Sequence, residues 1–206
     1  MWGIVESGSI TKLINNPKGM VIGDVRYSRK IFELWSKSEL EAIGIYEVEF
    51  DNTNKKDEQW YNNTNQSFAF AGGKITASYG SATAKAHADT LFTAQDESDG
   101  KGTEGEVKDE GLKTIKIREV KKEAANILAE TDWYILRKAD ADTAIPSAIT
   151  NHRAAVRTKC ASMETSITNA SNTAALETLY TYVNTADEGD PVVMERPLGE
   201  LPTLEV

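Results

Sequence analysis

The chain has few of the residues on which metal sites, redox chemistry and the disulfide frameworks of secreted proteins depend. Its 206 residues include one cysteine, Cys160, and two histidines, His87 and His152. A single cysteine excludes an intrachain disulfide framework and fits synthesis in a reducing compartment. A zinc site would have to combine both histidines with Cys160 or carboxylates, and no two of these residues have ligand spacing. We therefore predict no metal and no cofactor.

The sequence also lacks a long apolar run and an excess of positive charge. No stretch approaches the ~18–20 apolar residues that span a bilayer, so we expect no membrane partner. The opening Met-Trp-Gly-Ile-Val-Glu has no basic leader, and we expect no signal peptide there. The 23 Lys and Arg residues face 32 Asp and Glu residues, for a net charge of −9. Because nucleic-acid surfaces need clustered positive charge, nucleic acid is not an expected partner.

Catalytic motifs are absent or lack their required context. Residues 100–105 match G-x-G-x-x-G, but a dinucleotide site needs an apolar strand before this motif and a helix after it. A calcium loop counted from Asp96 would have Lys101 where glycine is required. No Ser–His–Asp or Cys–His order can be argued, and no carboxylate pair is favoured for acid–base work. We predict a protein that is not an enzyme, with a carboxylate hydrolase as a remote alternative.

Residues 1–94 predict an α+β domain with an exposed β-hairpin. Residues 67–71 and 74–79 alternate on either side of Gly72 and Gly73, which supply the positive φ of a two-residue turn. These strands are only lightly apolar, so we expect the hairpin to be exposed on one side or completed by a partner chain. Earlier patterns predict strands over 2–5, 9–14, 20–22 and 45–50, helical turns over 29–35, and a capping box that begins at Ser38.

The sequence of residues 95–206 predicts three further parts. Residues 95–111 are acidic and Gly-rich, which is typical of a mobile linker. Residues 112–184 predict a helical hairpin or three-helix domain, with helices over 112–130, from Pro146, and from a cap at Thr173 to residue 183. Thr131 and Asp132 are expected to end the first of these helices, with Trp133, Ile135 and Leu136 packed just beyond it and a polar loop before Pro146. Residues 185–206 contain three prolines and predict an extended arm. The predicted fold class is α+β in this arrangement.

The helix that follows Pro146 has two features of its own. Arg153 and Arg157 are four residues apart and should lie on one side of it. They predict a structural clamp on Asp132 or Glu130, with an anion-binding site as the alternative. Two rows repeat every seven residues and predict a buried seam that could also pair helices between copies, namely Ile149, Val156, Met163 and Arg153, Cys160, Ile167.

Two parts of the chain resemble bacteriophage tail proteins. Residues 130–137 read Glu-Thr-Asp-Trp-Tyr-Ile-Leu-Arg, and Ile-Pro at 145–146 and Asn-His-Arg-Ala-Ala-Val-Arg at 151–157 follow. This pattern resembles the tail assembly chaperone and tail-fibre assembly-like family, in which Ser/Thr-Asp-Trp precedes a Pro-led stretch and a Tyr-Arg-x-x-Leu-Arg helix. His152 and Val156 stand where that family usually has Tyr and Leu. Residues 31–36 and 39–46 look like the N-terminal segment of uncharacterised phage tail proteins.

The resemblance implies a non-enzymatic tail protein with no catalytic residues to carry over. We expect a structural component of the tail or fibre-attachment region, made in the host bacterial cytoplasm and located in the virion. Its expected partners are other tail or tail-fibre subunits and further copies of itself, as a homo-oligomer. The candidate interaction residues are Trp133, Arg153 and Arg157. The alternative is a transient tail or tail-fibre assembly chaperone that is absent from the mature particle.

Overall fold

The computed structural model describes residues 1–64 and 66–204, which contain seven helices and 13 strands. This confirms the mixed α+β class. The chain divides into two compact units, one of Met1–Thr83 and one that begins at Ala84. The elements of the first unit are, in chain order, β1 (Trp2–Glu6), β2 (Ser9–Ile14), β3 (Met20–Ile22), β4 (Val25–Tyr27), α1 (Ile31–Leu34), α2 (Lys37–Ala42), β5 (Ile45–Asp51), β6 (Tyr61–Asn62), β7 (Ser67–Ala71) and β8 (Lys74–Ser78).

The first unit is built on a five-stranded sheet with the order β2-β1-β5-β8-β7, which curls into a half-barrel. Only β5 and β8 pair in parallel, and the other neighbours are antiparallel. One apolar cluster joins Ile31 and Leu40 of the two short helices to Ile45 of β5. A second joins Val48 of β5 to Ile75 of β8. The two helices therefore pack on the sheet through Ile45 of β5.

Two local predictions for this unit need correction, and one is confirmed. The capping box forms two residues earlier than predicted, with the Ser36 hydroxyl and Glu39 carboxylate as reciprocal partners, because Ser36 is the last extended residue. The strand β4 was missed, since three residues are too few to show alternation. The predicted hairpin forms and is exposed on one side: β7 is an edge strand in which exposed and half-buried residues alternate, while Ile75 and Ala77 of β8 are buried.

The second unit is mainly helical. Two long helices, Leu112–Ala129 and Ser147–Asn169, form its centre. The Lys121 ammonium of the first lies 3.0 Å from the Glu164 carboxylate of the second, and the Lys113 ammonium donates to the Thr168 carbonyl at 2.8 Å. Its elements are α3 (Ala94–Ser98), α4 (Leu112–Ala129), α5 (Asp132–Ala141), α6 (Ser147–Asn169) and α7 (Thr173–Tyr180), with short strands β10 (Thr90–Leu91), β11 (Val107–Asp109), β12 (Val183–Asn184) and β13 (Met194–Glu195), while β9 (Thr83–Ala84) lies at the boundary between the units.

The predicted seam of α6 is buried, but it faces the same chain. Val156, Met163 and Ile167 are fully or almost fully buried there, and Val120 of α4 is buried as well. The seam is therefore occupied and is not available to pair helices between copies. No helix within the described residues is long and apolar enough to cross a membrane.

Contacts distant in sequence fix the ends of these helices. Asp89 accepts bonds from the Gly111 amide at 2.7 Å and the Thr114 hydroxyl at 2.8 Å, so it caps the start of α4. Both bonds hold the pKa of the Asp89 carboxyl below its ordinary value. Thr173, predicted as the cap of α7, instead donates its hydroxyl to the Lys85 carbonyl at 2.7 Å, while Asn172 caps the helix. That helix ends at Tyr180, three residues earlier than predicted.

The segment 95–111, expected to be a mobile linker, contains most of α3 and all of β11. Its acidic residues are used in local bonds: Asp96 accepts from the Thr93 amide and hydroxyl and lies 3.1 Å from the Lys108 ammonium. A side chain at Gly102 would meet the Phe92 ring at 2.6 Å. The composition of this segment predicted flexibility, because composition does not show that Asp96 bonds to Thr93 and Lys108 or that Gly102 packs on Phe92.

The C-terminal segment was expected to be an extended arm, and the structure docks it instead. The strands β12 and β13 pair in an antiparallel hairpin, and the Leu198 amide then donates to the Leu179 carbonyl at 3.0 Å. Leu198 and Leu201 are buried. Arg196 and Glu200 form an ion pair at 2.5 Å. The prolines prevent regular structure here, but two leucines spaced between them supply the apolar anchor.

The docked tail should contribute to stability through Leu198, which is 2% exposed. We expect Leu198→Ala to lower the free energy of unfolding by ~2–4 kcal/mol, because the change leaves a cavity in a packed site. Val192→Ala is the control, since Val192 is 71% exposed and should change stability by no more than ~0.5 kcal/mol. Urea unfolding of the full chain measures both. Equal, small effects would mean that the tail is not held.

Acid should release the bonds around α3. The Thr93 amide, the Thr93 hydroxyl and Lys108 lower the pKa of Asp96 from 3.8 to about 2. A carboxyl with a lowered folded-state pKa stabilises the structure above its unfolded pKa, and this contribution disappears as the pH falls from about 4 to about 2. Proton-decoupled NMR titration of the carboxyl carbons should show this depressed midpoint. Asp96→Asn should remove the change that protonation of Asp96 causes at the Thr93 amide as the pH falls, whereas Glu97→Gln should leave that change in place.

Candidate functional site

The candidate site is centred on α5, which the sequence had assigned in part to a polar loop. Thr131 and Asp132 were interpreted as the end of the preceding helix, but Asp132 lies in the first turn of α5. An acidic residue there is favourable beside the positive end of a helix dipole. Most of the following residues are good helix formers, which explains why the helix continues to Ala141. This start signal was present in the sequence and was missed.

Arg153 joins this helix to the centre of the unit. Its Nη1 donates to the Leu128 carbonyl at 2.6 Å and to the Thr131 hydroxyl at 2.7 Å, while Nη2 lies 2.8 Å from the Asp132 carboxylate. Arg153 is 7% exposed. The acceptors are a carbonyl at the end of α4, a hydroxyl in the connection, and a carboxylate at the start of α5. The clamp that the sequence favoured over an anion site is therefore the arrangement seen for Arg153.

Arg157 does not take part in this clamp. Its side chain is exposed, and its Nη1 lies 3.5 Å from the Arg153 carbonyl, at the limit of a hydrogen bond. The two arginines lie on one side of α6, as their spacing requires, but only Arg153 reaches the acceptors. The expectation of a paired grip on one carboxylate is therefore wrong, because one guanidinium already satisfies all three acceptors.

The apolar residues of α5 are only partly covered, although Trp133, Ile135 and Leu136 were expected to pack just beyond the preceding helix. No residue of this helix is buried. The exposed fractions are 49% for Trp133, 41% for Ile135 and 69% for Leu136. The sequence did not show this, because an apolar side chain looks the same in a core and on a docking surface. We refer to residues 133–137 as the α5 surface.

Aromatic stacking orders part of the α5 surface. The rings of Trp133 and Tyr134 have centroids 3.8 Å apart and are tilted by 31°. The Arg137 guanidinium lies 4.8 Å from the Trp133 centroid and 5.4 Å from the Tyr134 centroid, within cation–π range. Trp, Tyr and Arg are enriched at the residues that dominate protein–protein binding energies. Side chains that are ordered before binding also lose less entropy on association.

The other polar residues that the sequence singled out form no catalytic group. Cys160 is buried, its Sγ lies 3.5 Å from a Glu164 carboxylate oxygen, and burial raises the pKa of the thiol. His152 is buried on α6. Among the described residues, no group of three or more His, Cys, Asp or Glu side chains could hold a metal ion. The geometry of the unit therefore favours recognition through the α5 surface.

Comparison with known proteins gives no relative. No family model matches the chain, and no curated protein or solved structure is significantly similar to it.

The clamp predicts that a substitution at Arg153 lowers the free energy of unfolding more than a substitution at Asp132. Arg153→Ala should lower the free energy of unfolding by ~2–4 kcal/mol, because it removes charged hydrogen bonds in a buried site. Asp132→Ala should cost ~1 kcal/mol, since its carboxylate is half exposed and Arg153 keeps its two neutral acceptors. Urea unfolding of the full chain measures both.

Arg157→Ala is the matched control for the clamp. It removes the same side chain from an exposed position one turn away and should change stability by no more than ~0.5 kcal/mol. If the two arginine variants proved equally stable, Arg153 would not be the residue that joins α5 to α6.

Proposed function

We propose that the protein is a non-enzymatic bacteriophage tail protein, a structural component of the tail or fibre-attachment region that docks other tail subunits. The single observation that carries the proposal is the α5 surface. A helix of ten residues with no buried side chain is shorter than the ~12–15 residues at which isolated helices become even marginally stable. Its exposed aromatic and aliphatic residues are therefore best explained by a covering partner.

The clamp supports the proposed docking role. A docking element needs a fixed position, because flexible attachment would add an entropic cost to association. Arg153 supplies three bonds at the base of α5 and none of them uses residues 133–137. The helix is thus anchored at one end while its apolar side chains stay available.

The geometry of the clamp supports a binding role for the residues that carry the resemblance to phage tail proteins. The Thr-Asp-Trp and the Arg of the two motif parts are twenty residues or more apart in sequence, and Thr131, Asp132 and Arg153 meet in the clamp. A motif that fixes one helix and presents a tryptophan from it suits a binding role. The partner that we propose is another tail or tail-fibre subunit with an apolar recess for Trp133 and Leu136.

A transient assembly chaperone would use the same surface and then leave the particle. Mass spectrometry of gradient-purified particles, compared with the soluble lysate, separates these roles. We expect the chain in particles at a fixed ratio to a known tail subunit. Its presence in the lysate alone would contradict the structural role and favour the chaperone.

The α5 surface should decide incorporation into particles. A double variant, Trp133→Ala with Leu136→Ala, should reduce the incorporated fraction by ~tenfold or more when it replaces the natural chain, because exposed anchors of this type dominate binding. Its thermal midpoint should stay close to that of the natural chain, since neither side chain is buried.

The control for this loss is Leu34→Ala, which removes an equally exposed leucine from the first unit and should incorporate normally. Normal incorporation of the double variant would show that docking depends on another surface.

A further inference from the structure

Positive charge is concentrated on one part of the first unit. Residues 12–30 contain five of the chain's basic residues and one acidic residue, Asp24. Lys12 and Lys18 line a cleft of about 560 Å³ beside β2. Arg26 and Arg29 line an adjoining cleft of about 520 Å³, and Gly19 lies on the wall of both. We refer to these two adjoining clefts, with the neighbouring Lys30, as the basic cleft.

Most of this charge has no partner of opposite sign. Among the described residues, Arg29 pairs with Glu33 at 3.4 Å, and both of these side chains are more than half exposed. Lys12, Lys18 and Arg26 form no ion pair within that part of the chain, although Glu6 lies on the cleft wall. Unpaired cations that line a concave surface raise the local concentration of anionic groups.

Apolar side chains accompany the cations. Val21 lies directly across from Arg26 in the β3–β4 ribbon, and both are exposed. Val25 of the same ribbon is exposed, and Leu13 of the cleft wall is partly exposed. A bare phosphate surface would gain little from these residues. They fit a protein ligand that carries carboxylates beside aliphatic side chains.

The second unit presents a segment with that composition. Residues 185–195 contain four carboxylates and no Lys or Arg. Within the described residues, none of these four carboxylates forms an ion pair; they belong to Asp187, Glu188, Asp190 and Glu195. We refer to residues 185–195 as the acidic hairpin.

The acidic hairpin is ordered by its own backbone. Thr185 donates its amide to the Val193 carbonyl at 2.8 Å, and Asp190 donates to the Asp187 carbonyl at 3.1 Å, which closes the tip. The side chains of Val192, Val193 and Met194 are exposed. Carboxylates at the tip are therefore held beside an aliphatic row, which mirrors the composition of the basic cleft.

We propose that the acidic hairpin of one copy of this chain binds the basic cleft of a second copy. Carboxylates of the hairpin pair with Lys18, Arg26 and Arg29, and its aliphatic row packs on Val21, which lies on the same face of the ribbon as Arg26. Two clefts repel each other, as do two hairpins, so the contact joins different surfaces on the two copies. A contact of this kind is head-to-tail and produces rings when the rotation closes.

This contact is distinct from the proposed tail function, because it uses none of the residues of the α5 surface. The net charge of −9 opposes the binding of nucleic acid or an anionic membrane, and it also makes two copies repel each other, so the local pairing of cleft and hairpin has to exceed that repulsion. Self-association should depend strongly on salt, because exposed ion pairs are screened within about 10 Å at 0.1 M ionic strength.

Sedimentation velocity on the full chain tests the contact first. In buffer of about 50 mM NaCl, the weight-average sedimentation coefficient should rise with protein concentration. In about 500 mM NaCl, the Kd should rise by ~tenfold or more. A chain that stays monomeric at every concentration in the low-salt buffer overturns the proposal.

Charge reversal identifies the two surfaces. The hairpin variant carries Asp187→Lys, Glu188→Lys and Asp190→Lys; the cleft variant carries Lys18→Glu, Arg26→Glu and Arg29→Glu. Each variant alone should lose association by ~tenfold or more, because like charges then face each other. A mixture of the two variants should associate again, since the acidic cleft of one then meets the basic hairpin of the other.

A third variant controls for net charge. Glu97→Lys, Glu104→Lys and Glu106→Lys change the charge by the same amount as the hairpin variant, at exposed positions outside both surfaces. This control should associate at least as well as the natural chain. Circular dichroism establishes that each variant is folded. Normal association of the hairpin variant, or a mixture that fails to associate, contradicts the proposed pairing.

Discussion

The second unit depends on one guanidinium. Arg153 is buried at the place where α4 ends and α5 begins, and it donates to three acceptors that belong to the two helices and their connection. The end of a helix leaves carbonyl groups without partners, and a buried one is costly. The Leu128 carbonyl also accepts from the Thr131 amide at 3.2 Å and the Thr131 hydroxyl at 3.1 Å, and Arg153 adds the bonds that tie this turn and Asp132 to α6. Stability and the placement of the exposed helix are therefore set by one side chain.

This arrangement separates two tasks that adjacent residues of one segment perform. Thr131 and Asp132 serve the clamp, while the side chains of Trp133, Leu136 and Arg137 are exposed. The stacked rings and the guanidinium above them are held by one another, so their order does not require packing against the rest of the chain. Binding through this surface would then leave the clamp undisturbed.

Sequence periodicity predicted the elements in which one face is buried over several turns or alternations. The helix from Leu112 and the helix after Pro146 follow this rule, and the structure confirms both. The α5 helix was missed because its apolar residues do not mark a buried face. The order of residues 95–111 was missed because it depends on particular pairs, such as Asp96 with Thr93. For the candidate site, spacing sufficed to nominate Arg153 and its carboxylate, but not to show that Arg157 would be left out.

The bond from the Thr173 hydroxyl to the Lys85 carbonyl joins residues 88 positions apart. The first residues of the second unit are thus held by one of its last helices, and the Leu198 amide adds a bond to Leu179 still later in the chain. During synthesis at roughly 5–20 residues per second, the ribosome must add residues for several seconds after Lys85 emerges before that bond can form. The first unit has its whole sequence available long before then. The direction of translation therefore allows the half-barrel sheet to fold first, while the residues that close the helical unit are still being synthesised.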